Sequence, residues 1–273
     1  SLMAKYDDFC ACVDTYKPSI ILLTETWLTS SIVDSRVSLK DYTIFRTDRI
    51  GKRGGGVCMY ILDCILVNFL VVPLPVDTGG LDSLFLKVSN SYTTFILGCI
   101  YRPPSTHFND DEILVDSITG ITTKYHKIYI LGDFNLPDVN WPVNINRTYT
   151  ASSQLFVDLI VDSHLNQLVT KPRRYRANQQ PSLLDLIITS DDSSITNLEY
   201  LNPIGNSDHI VLMAKLQICY LPRSRTIRFH RKKIDFETLN DRLSKFNWQS
   251  ILSDGLIHNN WDIFKTVLFD AIS

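Results

Sequence analysis

The sequence predicts a layered, mixed α/β fold. Strand-like segments outnumber helical ones, the helical segments stand between groups of strands, and no repeat period is visible. Leu2 to Tyr16 places apolar residues at near-helical spacing, and Pro18 ends that helix. Ser19-Ile20-Ile21-Leu22-Leu23 is continuously apolar, which predicts a short strand covered on both faces, and Glu25 follows it. Asp41 to Arg46 and Gly56 to Leu62 read as two further strands, joined by the turn-rich segment Asp48 to Gly55. Ser83 to Val88 and Thr93 to Tyr101 have β-rich composition around the turn Ser89-Asn90-Ser91-Tyr92, which predicts a hairpin, and Pro103-Pro104 stops its second strand.

Asp110 to Tyr125 reads as a helix with apolar positions Ile113, Leu114, Ile118 and Ile121. Lys127 to Leu131 is another buried-type strand, and it runs into Gly132-Asp133-Phe134-Asn135. Ser152 to Asn166 is an amphipathic helix, Leu183 to Thr189 a strand, and His209 to Gln217 a closing strand after the loop Pro203 to Asp208. Beyond Cys219 the character changes. Six cations, from Arg223 to Lys233, fall in a stretch without acids, and aromatic-studded helical sequence follows. A boundary near Gln217 therefore separates one large domain, 1–217, from a basic and then helical segment, 218–273.

The 273 residues are 45% hydrophobic and 21% charged, which suffices for a sizeable core. The net charge of −2 excludes a general attraction to polyanions, so contact with nucleic acid must come from local basic patches. No apolar run approaches the roughly 18 residues of a membrane span, so no membrane partner is expected. The six cysteines form no C-x-x-C pair, and a domain of this size needs no disulfide staples. Buried thiols in an intracellular, soluble protein are the expectation.

Glu25, Asp133 and Asp208 each stand in a polar cluster at or beside the end of an apolar strand, with Asn135 and His209 next to the latter two. Carboxylates are costly to bury unpaired, so several at strand ends point to convergence on a cation. An oxygen-rich set without cysteine suits Mg²⁺, or Mn²⁺, better than Zn²⁺. A divalent ion near an aspartate and a histidine is equipment for attacking a phosphodiester. Taken singly, each element also has a plainer reading. Gly-Asp-Phe-Asn makes a tight turn, Ser207-Asp208-His209 a capped turn, and Asp185 within its strand a structural ion pair. Lys171, Arg173, Arg174 and Arg176 form a basic loop that either touches DNA backbone or is merely solvated.

In order, Leu22-Leu23-Thr24-Glu25-Thr26-Trp27, Arg53-Gly54-Gly55-Gly56-Val57, Tyr101-Arg102-Pro103-Pro104, Leu131-Gly132-Asp133-Phe134-Asn135, Leu184-Asp185-Leu186-Ile187 and Ser207-Asp208-His209 form a series. That series resembles the endonuclease/exonuclease/phosphatase superfamily and, within it, the endonucleases of non-LTR (LINE-type, jockey-like) retrotransposons. The resemblance implies a DNase I-like four-layer sandwich, two packed mixed β-sheets flanked by helices. It implies that Glu25 and Asp208 serve the metal, and that Tyr101 and His209 meet the scissile phosphate. Asp133 would then direct the attacking water beside Asn135, and Asp185 would hold His209. Arg102, Arg173, Arg174 and Arg176 are expected to contact DNA.

The implied activity is Mg²⁺-dependent nicking of double-stranded DNA to leave a 3′-hydroxyl, from which a reverse transcriptase domain of the same polyprotein primes synthesis on the element RNA. Such a protein acts in the nucleus. The family pattern begins with an Asn-bearing strand that Ser1-Leu2-Met3 would follow, so a chain lacking its first strand, with impaired activity, is a further expectation. A phosphatase or phosphodiesterase of the same superfamily, and a domesticated remnant that only binds nucleic acid, are the competing readings.

Overall fold

The computed structural model describes residues 1–70, 81–89, 93–170, 183–217, 236–251 and 257–272. The chain divides into two compact units, Ser1–Pro222 and Arg223–Ser273.

In the first unit, a short 3₁₀ turn at Met3–Lys5 leads into α1 (Tyr6–Tyr16), which ends where Lys17 takes a left-handed conformation ahead of Pro18. There follow β1 (Ile20–Thr24), β2 (Tyr42–Thr47), β3 (Val57–Leu62), β4 (Val67–Leu70), β5 (Asp82–Ser89) and β6 (Thr94–Tyr101). Next come α2 (Phe108–Thr122), β7 (Ile128–Asp133), α3 (Ala151–Asp162), the two-residue β8 (Asn166–Gln167), β9 (Asp185–Thr189), β10 (Ile195–Leu201) and β11 (Val211–Leu216). Strands β1-β3-β2 form one sheet, β4-β5-β6-β7-β9-β8 a second, and β10-β11 a two-stranded ribbon. All pairings are antiparallel except β6 with β7, which α2 connects as a parallel crossover.

Side-chain alternation along the strands builds the layers. In β3, Val57, Met59 and Ile61 enter the core between the sheets, while Cys58 and Tyr60 face the core under α1 with Phe9 and Val13. In β6, Phe95, Leu97, Cys99 and Tyr101 face the inter-sheet core, and Ile96 and Ile100 face the helices. Leu114, Ile118, Phe156 and Ile160 of α2 and α3 cover that outer face. The order is helix, sheet, sheet, helices: the four-layer sandwich that the motif series implied.

Three strands escape the sequence reading, β4, the two-residue β8 and β10. The β5–β6 hairpin and the β2–β3 pair form as expected. The thiols depart in part from expectation: Cys58 and Cys99 are buried, but Cys10 and Cys12 are half-exposed and Cys64 is exposed, with no disulfide among the described residues. No helix among the described residues is long and apolar enough to cross a membrane.

The second unit contains α4 (Phe236–Ser244), α5 (Trp248–Ile251) and α6 (Ile257–Ile272), as its helical spacing predicts. Trp248 packs on Phe246 and Phe264, and Trp261 stacks on Phe264 at 5.8 Å between ring centres. The basic stretch 223–233 lies outside the described residues.

Candidate active site

Strand register assembles the site. Across the six-stranded sheet Asp82 of β5 is opposite Tyr101 of β6, Tyr101 is beside Asp133 of β7, and Asp133 is opposite Asp185 of β9. Four polar residues thus form one transverse row at the strand ends, where β-rich apolar sequence gives way to polar loops. Gly132 lets β6 and β7 close up there, since a Cβ on it would sit 1.8 Å from the carbonyl oxygen of Ile100.

Beside this row, the loop before β11 brings in His209. Its Nδ1 lies 2.8 Å from Asp185 Oδ2, and its Nε2 lies 3.9 Å from Asp208 Oδ1. Side-chain ligand atoms of Asp133, Asp185 and His209 all fall within 4.8 Å of one another, close enough to share one metal ion. Asp208 is more exposed and stands outside this closest group.

Burial pushes the Asp133 carboxyl up to about 7, and the nearby Asp185 carboxylate adds to the rise; His209 and bonds from Asn135 oppose it. Burial alone would depress His209, but the hydrogen bond and charge of Asp185, helped by Asp133 and Asp208, outweigh it and raise its pKa. Burial and the neighbouring acid thus both disfavour the ionised form of Asp133.

Glu25 reaches the site from the other sheet. It follows β1 in a left-handed conformation (φ 58°), as does Trp27 (φ 57°), at a strain of about 1–2 kcal/mol each for residues of this kind. Backbone bonds hold the turn: Leu2 N–H to Thr26 O (2.8 Å), Thr26 N–H to Gly56 O (3.2 Å) and Trp27 N–H to Gly55 O (2.9 Å). The glycine run is thus a docking surface for the Glu25 turn; a Cβ on Gly56 would sit 2.7 Å from Thr26 Oγ1. Trp27 Nε1 donates to Glu25 Oε2 at 2.8 Å. Tyr101 stands close to the same carboxylate: burial first, and then the interaction with Glu25, raises the tyrosine's pKa.

The structure corrects one residue. Arg102 was expected to contact DNA, yet it is 4% exposed. Its Nε and Nη2 donate to Asp111 at 2.7 and 2.8 Å, and its Nη1 donates to the carbonyls of Phe134 and Asn135 at 3.3 and 3.1 Å. Asn135, buried with φ 46°, returns a bond from Nδ2 to Arg102 O at 2.8 Å. Every direction of the guanidinium is used inside the fold, so Arg102 braces the Gly-Asp-Phe-Asn turn. Arg173, Arg174 and Arg176, with Lys171, lie outside the described residues.

Sequence reasoning missed Asp82 and Arg49. A lone acid immediately before an apolar strand was the available signal for Asp82; nothing local marks Arg49, which lies in a turn-rich segment.

Among known proteins, residues 95–213 match a family model described as endonuclease-reverse transcriptase. That span holds every predicted site residue except Glu25. No curated protein matches. The fold is similar to the endonuclease domain of TRAS1, a telomere-specific non-LTR retrotransposon, with TM-score 0.59 and 14% identity over 78% of this chain and 93% of that one. It is similar to the 3′-5′ exonuclease NExo of Neisseria meningitidis, with TM-score 0.61 and 16% identity over 80% and 96%. An AP endonuclease from Archaeoglobus fulgidus gives TM-score 0.57 and 12% identity over 80% and 96%. The chain therefore shares the fold of these nucleases, and its residues 95–213, which hold most of the site, resemble the endonuclease-reverse transcriptase family.

Proposed function

We propose that the protein is a divalent-metal-dependent endonuclease that nicks one strand of double-stranded DNA and leaves a 3′-hydroxyl. The observation that carries this reading is the convergence of Asp133, Asp185 and His209 within 4.8 Å, with Tyr101 next to Asp133 in the same row and Glu25 reaching in from the other sheet.

The donor set fits a hard cation. It offers carboxylate oxygens, and the elevated Asp133 pKa marks negative charge that a cation would offset. Glu25 and Asp208 are the residues that would hold Mg²⁺, beside the Asp133–Asp185–His209 cluster. When bound, such an ion neutralises charge on the phosphate and on the departing oxygen.

The chain's own groups do the rest. With a pKa near 7, Asp133 is matched to accept a proton from the attacking water at neutral pH. As that water's oxygen bonds to phosphorus, the bond from phosphorus to the 3′ oxygen breaks. Asp185 fixes His209 with Nδ1 toward the carboxylate, which leaves Nε2 to meet a phosphate oxygen as a cationic donor. Asn135, tied to Arg102 and Asp133, holds the turn that aims the Asp133 carboxylate. Tyr101, next to Asp133 in the row and close to Glu25, would contact the phosphate. We extend the reading to a reverse transcriptase as partner, nuclear DNA as the target and element RNA as the later template; the description of the matched family model supports the first of these.

Supercoiled plasmid is the test. Mg²⁺-dependent conversion to open circles, absent in EDTA and reduced about 100-fold in His209→Ala, is the expected result. A folded chain without nicking, but with hydrolysis of 3′-phosphate ends, would replace this reading with a phosphatase. Retention of DNA without any hydrolysis would leave a binding remnant.

A further inference from the structure

The transverse row of the six-stranded sheet contains one residue that the proposed reaction does not use, Asp82. It is buried at 6% exposure, and its carboxylate has three donors. Arg49 reaches it with Nη2 at 2.5 Å and Nε at 3.4 Å, and the Gly56 N–H donates to the same Oδ2 at 2.8 Å. Arg49 in turn lies over the Tyr101 ring, with its guanidinium carbon 5.3 Å from the ring centre. Gly55 is what makes room for that guanidinium, since a Cβ there would fall 2.1 Å from its central carbon.

These contacts meet at one junction. Gly55 and Gly56 accept the backbone bonds of Trp27 and Thr26, so whatever fixes the glycine run also fixes the turn bearing Glu25. The same guanidinium lies over the ring of Tyr101, which stands close enough to Glu25 to feel its charge. A buried carboxylate on one sheet thereby ties down two site residues from two different sheets.

We propose that Asp82 and Arg49 are positioning residues: their ion pair sets where Glu25 and Tyr101 stand relative to Asp133, Asp185 and His209. A planar guanidinium suits the task, because it can grip a carboxylate through two nitrogens while presenting its flat face to a ring; a lysine ammonium does only part of this. The proposal rests on the metal-dependent reading above in that its effect is read through metal binding and nicking.

The test compares the whole chain with Arg49→Met, Arg49→Lys and Asp82→Asn, each shown to be folded by circular dichroism and thermal melting. Mn²⁺ alone is titrated against tryptophan fluorescence, and the signal is assigned to Trp27 by its loss in Trp27→Phe. Nicking is measured in parallel. We expect Arg49→Met and Asp82→Asn to raise the Mn²⁺ midpoint and lower nicking by about 10- to 100-fold, as for groups that orient ligands from behind. The loss should fall on kcat, with KM for DNA unchanged, and Arg49→Lys should recover part of it.

An unchanged Mn²⁺ midpoint and rate in folded Arg49→Met would overturn the positioning role and leave the nuclease reading intact. A shifted midpoint in a background where the unsubstituted chain does not nick would support positioning and sink the nuclease. Absence of any Mn²⁺ response in the unsubstituted chain would overturn both.

Discussion

Asp133→Asn is expected to lower plasmid nicking about 1000-fold while leaving the metal-free protein more stable at neutral pH. The activity loss follows from removing the proton acceptor. The gain in stability follows from the direction of the pKa shift. In the fold Asp133 titrates near 7, well above its ordinary value of 3.8, because burial and the Asp185 charge disfavour its ionised form. A carboxyl raised on folding favours the native state most below its unfolded pKa, and that contribution is lost as pH climbs through the folded value. The His209 shift has the same sign: a raised histidine stabilises below its unfolded pKa near 6.5 and loses that contribution above its folded one. In EDTA the melting temperature should therefore fall as pH rises from about 4 to about 7 through the Asp133 shift, with the His209 part adding above about 6.5. Asp133→Asn should flatten the first part of that curve. A steep fall that persists unchanged in the variant would sink this account of the cluster.

Arg102→Met is expected to destabilise the first unit by about 3–5 kcal/mol, read as a lowered urea midpoint. Asp111 is fully enclosed, with a side-chain exposure of 0%, and would keep a charge without a partner. Replacing both, Arg102→Met with Asp111→Leu, should restore most of the stability, because the orphaned charge goes with its partner. Activity should not return with it. The carbonyls of Phe134 and Asn135 would still lack the Nη1 donor that fixes the turn carrying Asp133. A double variant as active as the parent would show that the brace matters only for folding. Persistence of the full stability loss in the double variant would show instead that packing on Phe156, 5.9 Å beneath the guanidinium, is the larger part.

Much of this was legible in the sequence because each catalytic candidate ends a run whose hydrophobicity is unmistakable. Ile128 to Leu131 reads as an interior strand with Asp133 at its polar end, whereas Asp185 read as lying within the strand Leu183 to Thr189 and in the structure opens β9. Their pairing was not legible. That Asp133 is opposite Asp185, and Tyr101 beside Asp133, is a matter of register between distant segments. β10 went unread because Ile195 to Leu201 mixes apolar residues with Asn197 and Glu199 and carries a register shift against β11. β4 went unread for the opposite reason: Ile65 to Val76 is apolar nearly throughout, and nothing in it marks where a four-residue strand begins or stops. Arg102 was misread since a sequence displays a charge without displaying its partner. Asp111 lies nine residues on, past two prolines, in the first turn of α2. Asp82 and Arg49 share that difficulty, at a separation of 33 residues.

The polar row across β5, β6, β7 and β9 has a consequence for how such a protein can be altered. Adjacent strands keep a spacing of about 4.8 Å that no side chain can renegotiate, so the distances between Tyr101, Asp133 and Asp185 are ruled by the backbone ladder itself. A single residue inserted into any of these strands would turn its functional side chain to the opposite face. The connections between strands carry no such restriction. On the proposed nuclease reading, the strands thus set the spacing of Tyr101, Asp133 and Asp185, and connections other than those bearing Glu25, Asn135 and His209 could be exchanged between relatives while that ruler holds.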